Sequence, residues 1–318
     1  MAKKTVSLAG RDILDMESLS VEEYELVMRT AAEMKKIMKR DIKKVPSLRG
    51  KSIINLFYEN STRTRTSFEL AGKYLGADTI NIAVASSSVK KGECLRDTLL
   101  TMQAMCCDAI VMRHSVEGAA AYAAKALKPV VLNGGDGCHA HPTQALLDMF
   151  TLWEKGFNFK GAKMALIGDV EHSRVARSNI VAWNKLGAEV HIAGPMSLMP
   201  YQAESLGVIV DKTVEEALEG AEVVDVLRIQ LERQHKGLFP SPREYARIFG
   251  VNEQRLKLAK PGAYVMHPGP TNRGLEISCE TSYCDQSVIQ EQVQNGVAVR
   301  MALLFLTLTG GKQIEAAN

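Results

Sequence analysis

The segment from Phe57 to Thr66 combines residue types that bind anions. Three hydroxyl side chains and two guanidinium groups lie between Ser61 and Arg65, where an apolar run gives way to a helical pattern. A helix start presents unpaired N–H groups and the positive end of the helix dipole. Because arginines there oppose the dipole, we expect an anion to compensate them and favour a phosphate site over a surface helix with an ordinary N-cap. The candidate ligands are Ser61, Thr62, Arg63 and Thr64.

Other polar residues follow apolar runs in the first half of the chain. Ser87 and Lys91 lie in a polar loop, a weak signal alone because loop lysines are usually solvated. Arg113 directly follows a short strand pattern, at the edge where doubly wound sheets hold ligands. His141 precedes a helix that begins at Pro142, and a helix start favours a neutral imidazole that can donate a hydrogen bond.

The candidate binding residues in the second half of the chain have cationic or amide side chains. Arg174 stands where a dinucleotide-binding turn would need glycines, and an arginine at a strand end favours a carboxylate ligand. Arg228 and Gln230 alternate in extended chain, so both side chains point to one face. An arginine beside an amide suits an amino-acid-like ligand.

The His-Pro-Gly-Pro segment at 267–270 cannot form regular structure, because its prolines lack an N–H group. The carbonyls of Pro268 and Gly269 are therefore candidates to accept hydrogen bonds from an amide. A tight structural turn explains the same residues equally well.

Several catalytic signatures are absent from the sequence. It contains no Gly-x-Ser-x-Gly, no His-Glu-x-x-His and no paired carboxylates at strand ends. Gly50-Lys51-Ser52 imitates a P-loop, but Val45 replaces the required earlier glycine. Cys138 to His141 lacks a second cluster that would complete a metal site. The residues present indicate acyl or phosphoryl transfer by positioning and oxyanion stabilisation, with no metal and no cofactor.

The elements that must position these residues form an alternating pattern, which predicts an α/β fold with two doubly wound parallel-sheet domains joined by helices. Strands are expected at 52–57, 79–84, 109–112, 129–132, 163–167, 189–193 and 223–227. Helices are expected at 20–40, 65–75, 94–105, 116–127, 143–153, 173–186 and 288–308. Residues 230–245 are predicted to form a long functional loop. The expected domains are 1–141 with the C-terminal helix 290–318, and 142–289.

Composition narrows the class of protein. The 318 residues are 46% hydrophobic and 24% charged, as in globular proteins. With 39 basic against 36 acidic residues, bulk charge does not favour a nucleic-acid or membrane partner. No secretion signal is visible, and the apolar run 301–306 after Arg300 is too short to cross a bilayer. Six cysteines without framework spacing favour a reduced, cytoplasmic protein.

Taken in chain order, these residues resemble the motifs of the aspartate/ornithine transcarbamoylase family. Each motif is weak alone, but together at their spacings they are highly specific and cover most of the chain. The His-Pro-Thr-Gln and Arg-x-Gln patterns are similar to the aspartate branch, and the His-Pro-Cys-Gln and Ser-Met-Gly segments of the ornithine branch are absent. The matching stretches are Ser61–Arg65, Ser87–Glu93, Met112–His114, His141–Gln144, Arg174, Arg228–Gln230 and His267–Pro270.

The resemblance implies a transferase of pyrimidine biosynthesis that moves the carbamoyl group of carbamoyl phosphate to L-aspartate. It implies that the first domain binds carbamoyl phosphate, with Gln144 and the carbonyls near Pro268 and Gly269 holding the carbamoyl NH2 group. Aspartate would bind Arg174, Arg228 and Gln230, and domain closure would bring the reactants together. The catalytic residues implied are Arg63, Thr64, Lys91, Arg113 and His141.

The resemblance also implies a homotrimer with shared active sites, in which the neighbouring chain supplies the residues that match Ser87 and Lys91. Regulatory or pathway-enzyme partner chains stay open, because Gly269 to Gly274 differs from the Leu-Pro-Arg version of some members and no nucleotide site is visible. Nucleic-acid and membrane partners are not expected.

Other functions remain as alternatives. A transcarbamoylase with another amine acceptor, such as ornithine, is the nearest, although two arginine clamps match two carboxylates and would repel a cationic side chain. A catalytically silent anion-binding paralogue is opposed by the intact Lys91, Arg113, His141 and Arg228. A P-loop phosphotransferase is opposed by Val45 and by the lack of an acidic Mg²⁺-binding pattern.

Overall fold

A computed structural model describes residues 6–83, 92–230 and 241–311. The chain divides into two compact units, Met1–Phe150 with Val293–Asn318, and Thr151–Gln292. The divisions predicted from the sequence lie at 141/142 and 289/290, at the starts of two helices. In the structure the divisions fall inside both helices, at 150/151 and 292/293.

The first unit is built on four strands that form one parallel sheet. The strands are β1 (Ser52–Phe57), β2 (Asp78–Ala83), β3 (Ala109–His114) and β4 (Val130–Asp136). The helices described there are α1 (Val21–Met38), α2 (Thr62–Tyr74), α3 (Leu95–Ala104), α4 (Ala119–Ala126) and α5 (Pro142–Trp153). The strand order is β2-β1-β3-β4, so the order reverses between β1 and β3.

The core of this unit explains why its strands are nearly continuous apolar runs. Parallel strands covered on both faces must bury both sets of side chains. Ile54, Ile110 and Val131 from three neighbouring strands belong to one buried cluster with Leu99 of α3 and Ala123 of α4. Burial of these side chains fixes the sheet on which the polar strand ends are carried.

The expected lengths of two strands were wrong. β3 extends to His114 and β4 to Asp136, whereas the sequence analysis ended them at 112 and 132. Polar residues therefore lie within paired strands, with a register shift between Met112 and His114. All seven residues of β4 are buried, and Asn133 and Asp136 can remain in this buried strand because the Asn133 side chain donates a hydrogen bond to the Asp136 carboxylate.

The second unit contains a sheet of five parallel strands. They are β5 (Lys163–Ile167), β6 (Glu189–Ala193), β7 (Val208–Val210), β8 (Val223–Val226) and β9 (Tyr264–Met266). The helices are α6 (Arg174–Lys185), α7 (Val214–Leu218), α8 (Pro242–Phe249), α9 (Glu253–Leu256), α10 (Cys279–Ser282) and α11 (Ile289–Thr309), of which the part from Val293 belongs to the first unit. The order is β7-β6-β5-β8-β9, with its reversal between β5 and β8.

Some short elements of this unit were not predicted from the sequence. β7 and β9 have three residues each, too few to show a periodic pattern. The predicted loop 230–245 is wrong at its end, because α8 begins at Pro242 and the Ser241 side chain caps it by accepting from the Glu244 N–H group. Residues 231–240 lie outside the described part. The predicted class, two parallel-sheet α/β domains, is confirmed.

None of the helices in the described ranges is both long and apolar enough to span a membrane.

Candidate active site

The start of α2 carries the predicted phosphate ligands. Ser61 is the N-cap residue in extended conformation, and its side chain does not cap the helix. Thr62 and Arg63 are exposed, Thr64 is buried, and the first turn contains no acidic residue. This end of the helix thus combines a positive dipole end, hydroxyl groups and guanidinium groups, which is the arrangement that an oxyanion requires.

Arg113 lies beside this helix start because of the sheet register. It pairs with Phe57 of β1, and its carbonyl accepts a hydrogen bond from the Tyr58 N–H group at 2.8 Å. Its guanidinium donates to the Gly134 carbonyl at 3.0 Å and forms an ion pair with Glu59, at 3.3 Å between Nε and Oε2. These two contacts direct the guanidinium toward the carboxyl ends of β1 and β4.

His141 completes the group in the first unit. It is 4% exposed, and its Nε2 lies 3.5 Å from the Thr64 hydroxyl oxygen. Gly134 adjoins the same threonine, since a Cβ built on Gly134 would lie 3.6 Å from Thr64 Cγ2. The structure therefore brings Thr64, Arg113 and His141 together at the β1/β3 reversal, where ligands bind in sheets of this kind.

Gln144 lies one turn into α5, buried like His141. Its side-chain NH2 group donates to Asp148 Oδ1 at 2.9 Å, one turn further along the helix. This bond fixes the orientation of the amide and makes Oε1 the atom that can accept from an –NH2 group.

In the second unit, Arg174 is the first residue of α6 and is 3% exposed. The preceding residue, Ser173, is the N-cap, and its hydroxyl accepts from the Ala176 N–H group at 3.1 Å. The cap fixes where the helix begins and thereby where the arginine leaves the backbone. The sharp turn before it uses Gly168, with φ +126°, in a space bounded by Tyr245 and the Leu227 carbonyl.

Arg228 and Gln230 follow β8, which neighbours β5 in the sheet. The Gln230 side chain donates to the carbonyl of His172 at 3.3 Å, so the segments after β5 and β8 are in contact. Arg228 is half-buried. The predicted carboxylate ligands thus come from two adjacent strand ends at the β5/β8 reversal.

The loop after β9 is held from inside by a buried histidine and glutamate. The Gly269 N–H group donates to His267 Nδ1 at 2.8 Å, so Nε2 carries the proton toward Glu276 Oε1, 3.1 Å away. Asn272 donates from its side chain to the Ile229 carbonyl at 3.0 Å, which ties this loop to the segment after β8. The loop contains Pro268 and a cis Gly269–Pro270 bond.

Burial shifts two pKa values around these sites. Burial lowers the pKa of His114, against the opposing effect of Glu59 and Asp136, which favours the neutral imidazole. Burial raises the pKa of Tyr245, and the carboxylates of Glu276 and Asp169 raise it further. Tyr245 is therefore a neutral hydroxyl beside the turn at Gly168.

Not every predicted site residue can be placed. Ser87 and Lys91 lie outside the described residues. Four further side chains that hold the predicted site residues or their neighbours were not predicted from the sequence: Glu59, Asp148, Glu276 and Arg300. Arg300 could have been found from the sequence, because it is a lone charge inside an apolar helical run. No sequence pattern indicates that Glu59 is the ion-pair partner of Arg113. Within the described ranges, no group of three or more His, Cys, Asp or Glu side chains is arranged to hold a metal ion.

Comparison with known proteins gives a family for both units. The model of the aspartate/ornithine carbamoyltransferase carbamoyl-P binding domain matches residues 11–154. The model of the Asp/Orn binding domain of the same family matches residues 160–307.

Individual relatives match over nearly the whole chain. The aspartate carbamoyltransferase catalytic subunit of Moorella thermoacetica is 60% identical over 95% of this chain and 99% of its own length. Aspartate transcarbamoylase of Trypanosoma cruzi, solved with carbamoyl phosphate and aspartate, has a TM-score of 0.84 at 29% identity, covering 95% of this chain and 98% of that one. Ornithine carbamoyltransferase of Pyrococcus furiosus has a TM-score of 0.84 at 31% identity, covering 96% and 99%. The chain belongs to the aspartate/ornithine carbamoyltransferase family, as its motifs predicted.

Proposed function

We propose that this chain is the catalytic subunit of an aspartate carbamoyltransferase. It transfers the carbamoyl group of carbamoyl phosphate to the amino group of L-aspartate and releases N-carbamoyl-L-aspartate and phosphate. The observation that carries the proposal is the pair of arginines, Arg174 and Arg228, at adjacent strand ends of the second unit. Two guanidinium groups suit an acceptor with two carboxylates.

The donor binds in the first unit. The start of α2 holds the phosphate through Ser61, Thr62, Arg63 and Thr64, and no acidic side chain in its first turn repels the anion. Arg113 reaches both the phosphate and the carbonyl oxygen, while Gln144 accepts a bond from the carbamoyl NH2 group. The carbonyls of Pro268 and Gly269 are assigned to the same NH2 group by family resemblance.

The reaction is an acyl transfer that needs no covalent enzyme intermediate. The aspartate nitrogen forms a bond to the carbonyl carbon, and negative charge develops on the carbonyl oxygen. Thr64, Arg113 and His141 stabilise that oxyanion, in agreement with the 3.5 Å separation of Thr64 and His141. The bond from carbon to the phosphate oxygen then breaks, and the departing phosphate takes the amine proton.

The second candidate acceptor is ornithine, because one solved relative, 31% identical, is an ornithine carbamoyltransferase. Its cationic side chain would meet the positive charge of Arg174 and Arg228. Like charges in a partly buried site are costly, so the arginine pair disfavours this acceptor.

The deciding experiment offers the purified protein carbamoyl phosphate with either aspartate or ornithine and measures phosphate release. We expect rapid release with aspartate only, and N-carbamoyl-aspartate as the product. Release with ornithine but not aspartate would overturn the choice of acceptor. Release with neither, from a folded protein that still binds carbamoyl phosphate, would support the silent anion-binding paralogue.

We further propose a cytoplasmic homotrimer that acts in pyrimidine biosynthesis. The trimer rests on the family resemblance of the sequence motifs. The name of the 60% identical relative, a catalytic subunit, is compatible with additional partner chains. In this proposal Ser87 and Lys91 act in the site of a neighbouring chain.

A further inference from the structure

Arg300 is a buried cation in an otherwise apolar part of α11. It is 3% exposed, and its neighbours Val299 and Met301 are fully buried. Burial lowers the pKa of its guanidinium to about 10, with Asp148 acting in the opposite direction, so the group is still protonated at neutral pH. Because a buried charge destabilises a fold unless it is hydrogen-bonded, its contacts should show what the charge is for.

Those contacts join two helices of the first unit. Nη1 donates to the Ser67 hydroxyl at 2.8 Å in α2, and Nη2 donates to the Thr143 hydroxyl at 3.2 Å in α5. A third bond, from Nη1 to the Gly296 carbonyl at 3.2 Å, anchors the side chain to its own helix. The guanidinium also lies 5.2 Å from the centre of the Phe68 ring. One planar group thus joins the second turn of α2 to the first turn of α5.

Both hydroxyl groups belong to residues that contact or adjoin the proposed site residues. The Ser67 hydroxyl donates to the carbonyls of Arg63 and Thr64, at 2.7 and 3.0 Å, within the first turn of α2. Thr143 lies between His141 and Gln144. The guanidinium therefore links α2 to α5 close to Thr64 and His141.

We infer that Arg300 is a positioning residue for carbamoyl transfer. It does not touch the substrate; it sets the separation between Thr64 on α2 and His141 before α5, and with it the geometry of the oxyanion site. The inference rests on the proposed function. A lysine keeps the charge but cannot donate to both hydroxyls in the planar geometry of a guanidinium.

The kinetic test compares Arg300→Lys with Leu306→Ala, a core substitution later in the same helix. Both should lower the melting temperature. Only Arg300→Lys should lower kcat, on the order of tenfold to a hundredfold, because small displacements of reacting groups are costly. The KM for aspartate should stay unchanged, since its ligands lie in the second unit. Equal kcat values in the two folded variants would overturn the inference.

A double-mutant cycle tests whether Arg300 acts through its hydrogen bond to Thr143. Thr143→Val removes the hydroxyl at nearly constant volume, and we expect it to lower kcat in the wild type but to add little to Arg300→Lys. Losses that multiply independently would show that Arg300 does not act through Thr143.

An activity-independent readout separates this inference from the proposed function. The ring resonances of His141 in ¹⁵N-histidine NMR, assigned by their loss in His141→Gln, should shift in Arg300→Lys and not in Leu306→Ala. Unchanged resonances in folded Arg300→Lys would overturn the positioning role, even if the wild type transfers the carbamoyl group. A wild type without transfer would overturn the function, while the resonances would still report on Arg300.

Discussion

At the scale of single residues, the placement of charged side chains distinguishes the two proposed ligand sites. Arg63 and Arg65 add positive charge at the end of α2 where the helix dipole is already positive, which disfavours the free helix and favours a bound anion. In the proposed acceptor site of the second unit, Arg174 and Arg228 would supply the positive charge that attracts carboxylates. If the two sites accept different anions, as proposed, a single substitution should affect one substrate more than the other.

Replacing Arg63 tests the donor site. Arg63→Ala should abolish most turnover and weaken carbamoyl phosphate binding, because the phosphate loses a charge-assisted bond. The free energy of unfolding should change by less than about 0.5 kcal/mol, since the side chain is exposed. Steady-state kinetics and urea unfolding measure both effects. The control is Lys73→Ala at the other end of the helix, which should leave kinetics unchanged; unaltered kinetics in Arg63→Ala would argue for an ordinary surface helix.

At the scale of elements, caps and strand ends place these charges. The Ser173 hydroxyl fixes the first turn of α6, whose first residue is Arg174. The register of the sheet fixes the position of Arg113, because Arg113 pairs with Phe57 and so lies beside the start of α2. A substitution that disturbs such an element should therefore change the KM of the substrate that the element helps to bind.

Removing the cap of α6 tests this link. Ser173→Ala should destabilise the protein by about 1 kcal/mol and raise the KM for aspartate, because Arg174 loses its fixed starting point. Thr213→Ala provides a matched control, since Thr213 caps α7 of the same unit by accepting from the Glu216 N–H group at 3.1 Å. It should lower stability similarly without raising that KM. Equal KM values in the two variants would contradict the prediction.

At the scale of the whole molecule, the proposed trimer makes each site depend on two chains. If Lys91 acts in the neighbouring site, inactive Lys91→Ala and inactive Arg228→Ala chains should restore activity when unfolded and refolded together. Random assembly from equal amounts would give intact residues in about one quarter of the sites. A mixture of Arg63→Ala and Arg228→Ala should stay inactive, because both residues serve their own chain. No recovery in the first mixture would place Lys91 in its own site.

The resemblance of separated motifs was sufficient to identify the family, and most strands and helices were predicted within a few residues. The misses have physical causes. β7 and β9 are too short for periodicity, and β3 and β4 continue through polar residues because Asn133 and Asp136 satisfy each other when buried. The helix α8 was missed because its first residues were included in the predicted loop 230–245, although a proline in the first turn, here Pro242, is compatible with a helix.

The sequence by itself determined which groups are available: the hydroxyls and arginines at 61–65, His141, and the arginines at 174 and 228. These follow from local patterns, since strand ends and helix starts are encoded within a few residues. Only the tertiary structure decided which side chains hold them, such as Glu59 on Arg113 or Arg300 between Ser67 and Thr143. Such contacts join residues far apart in sequence, and their geometry is set by the packing of the sheet and its helices.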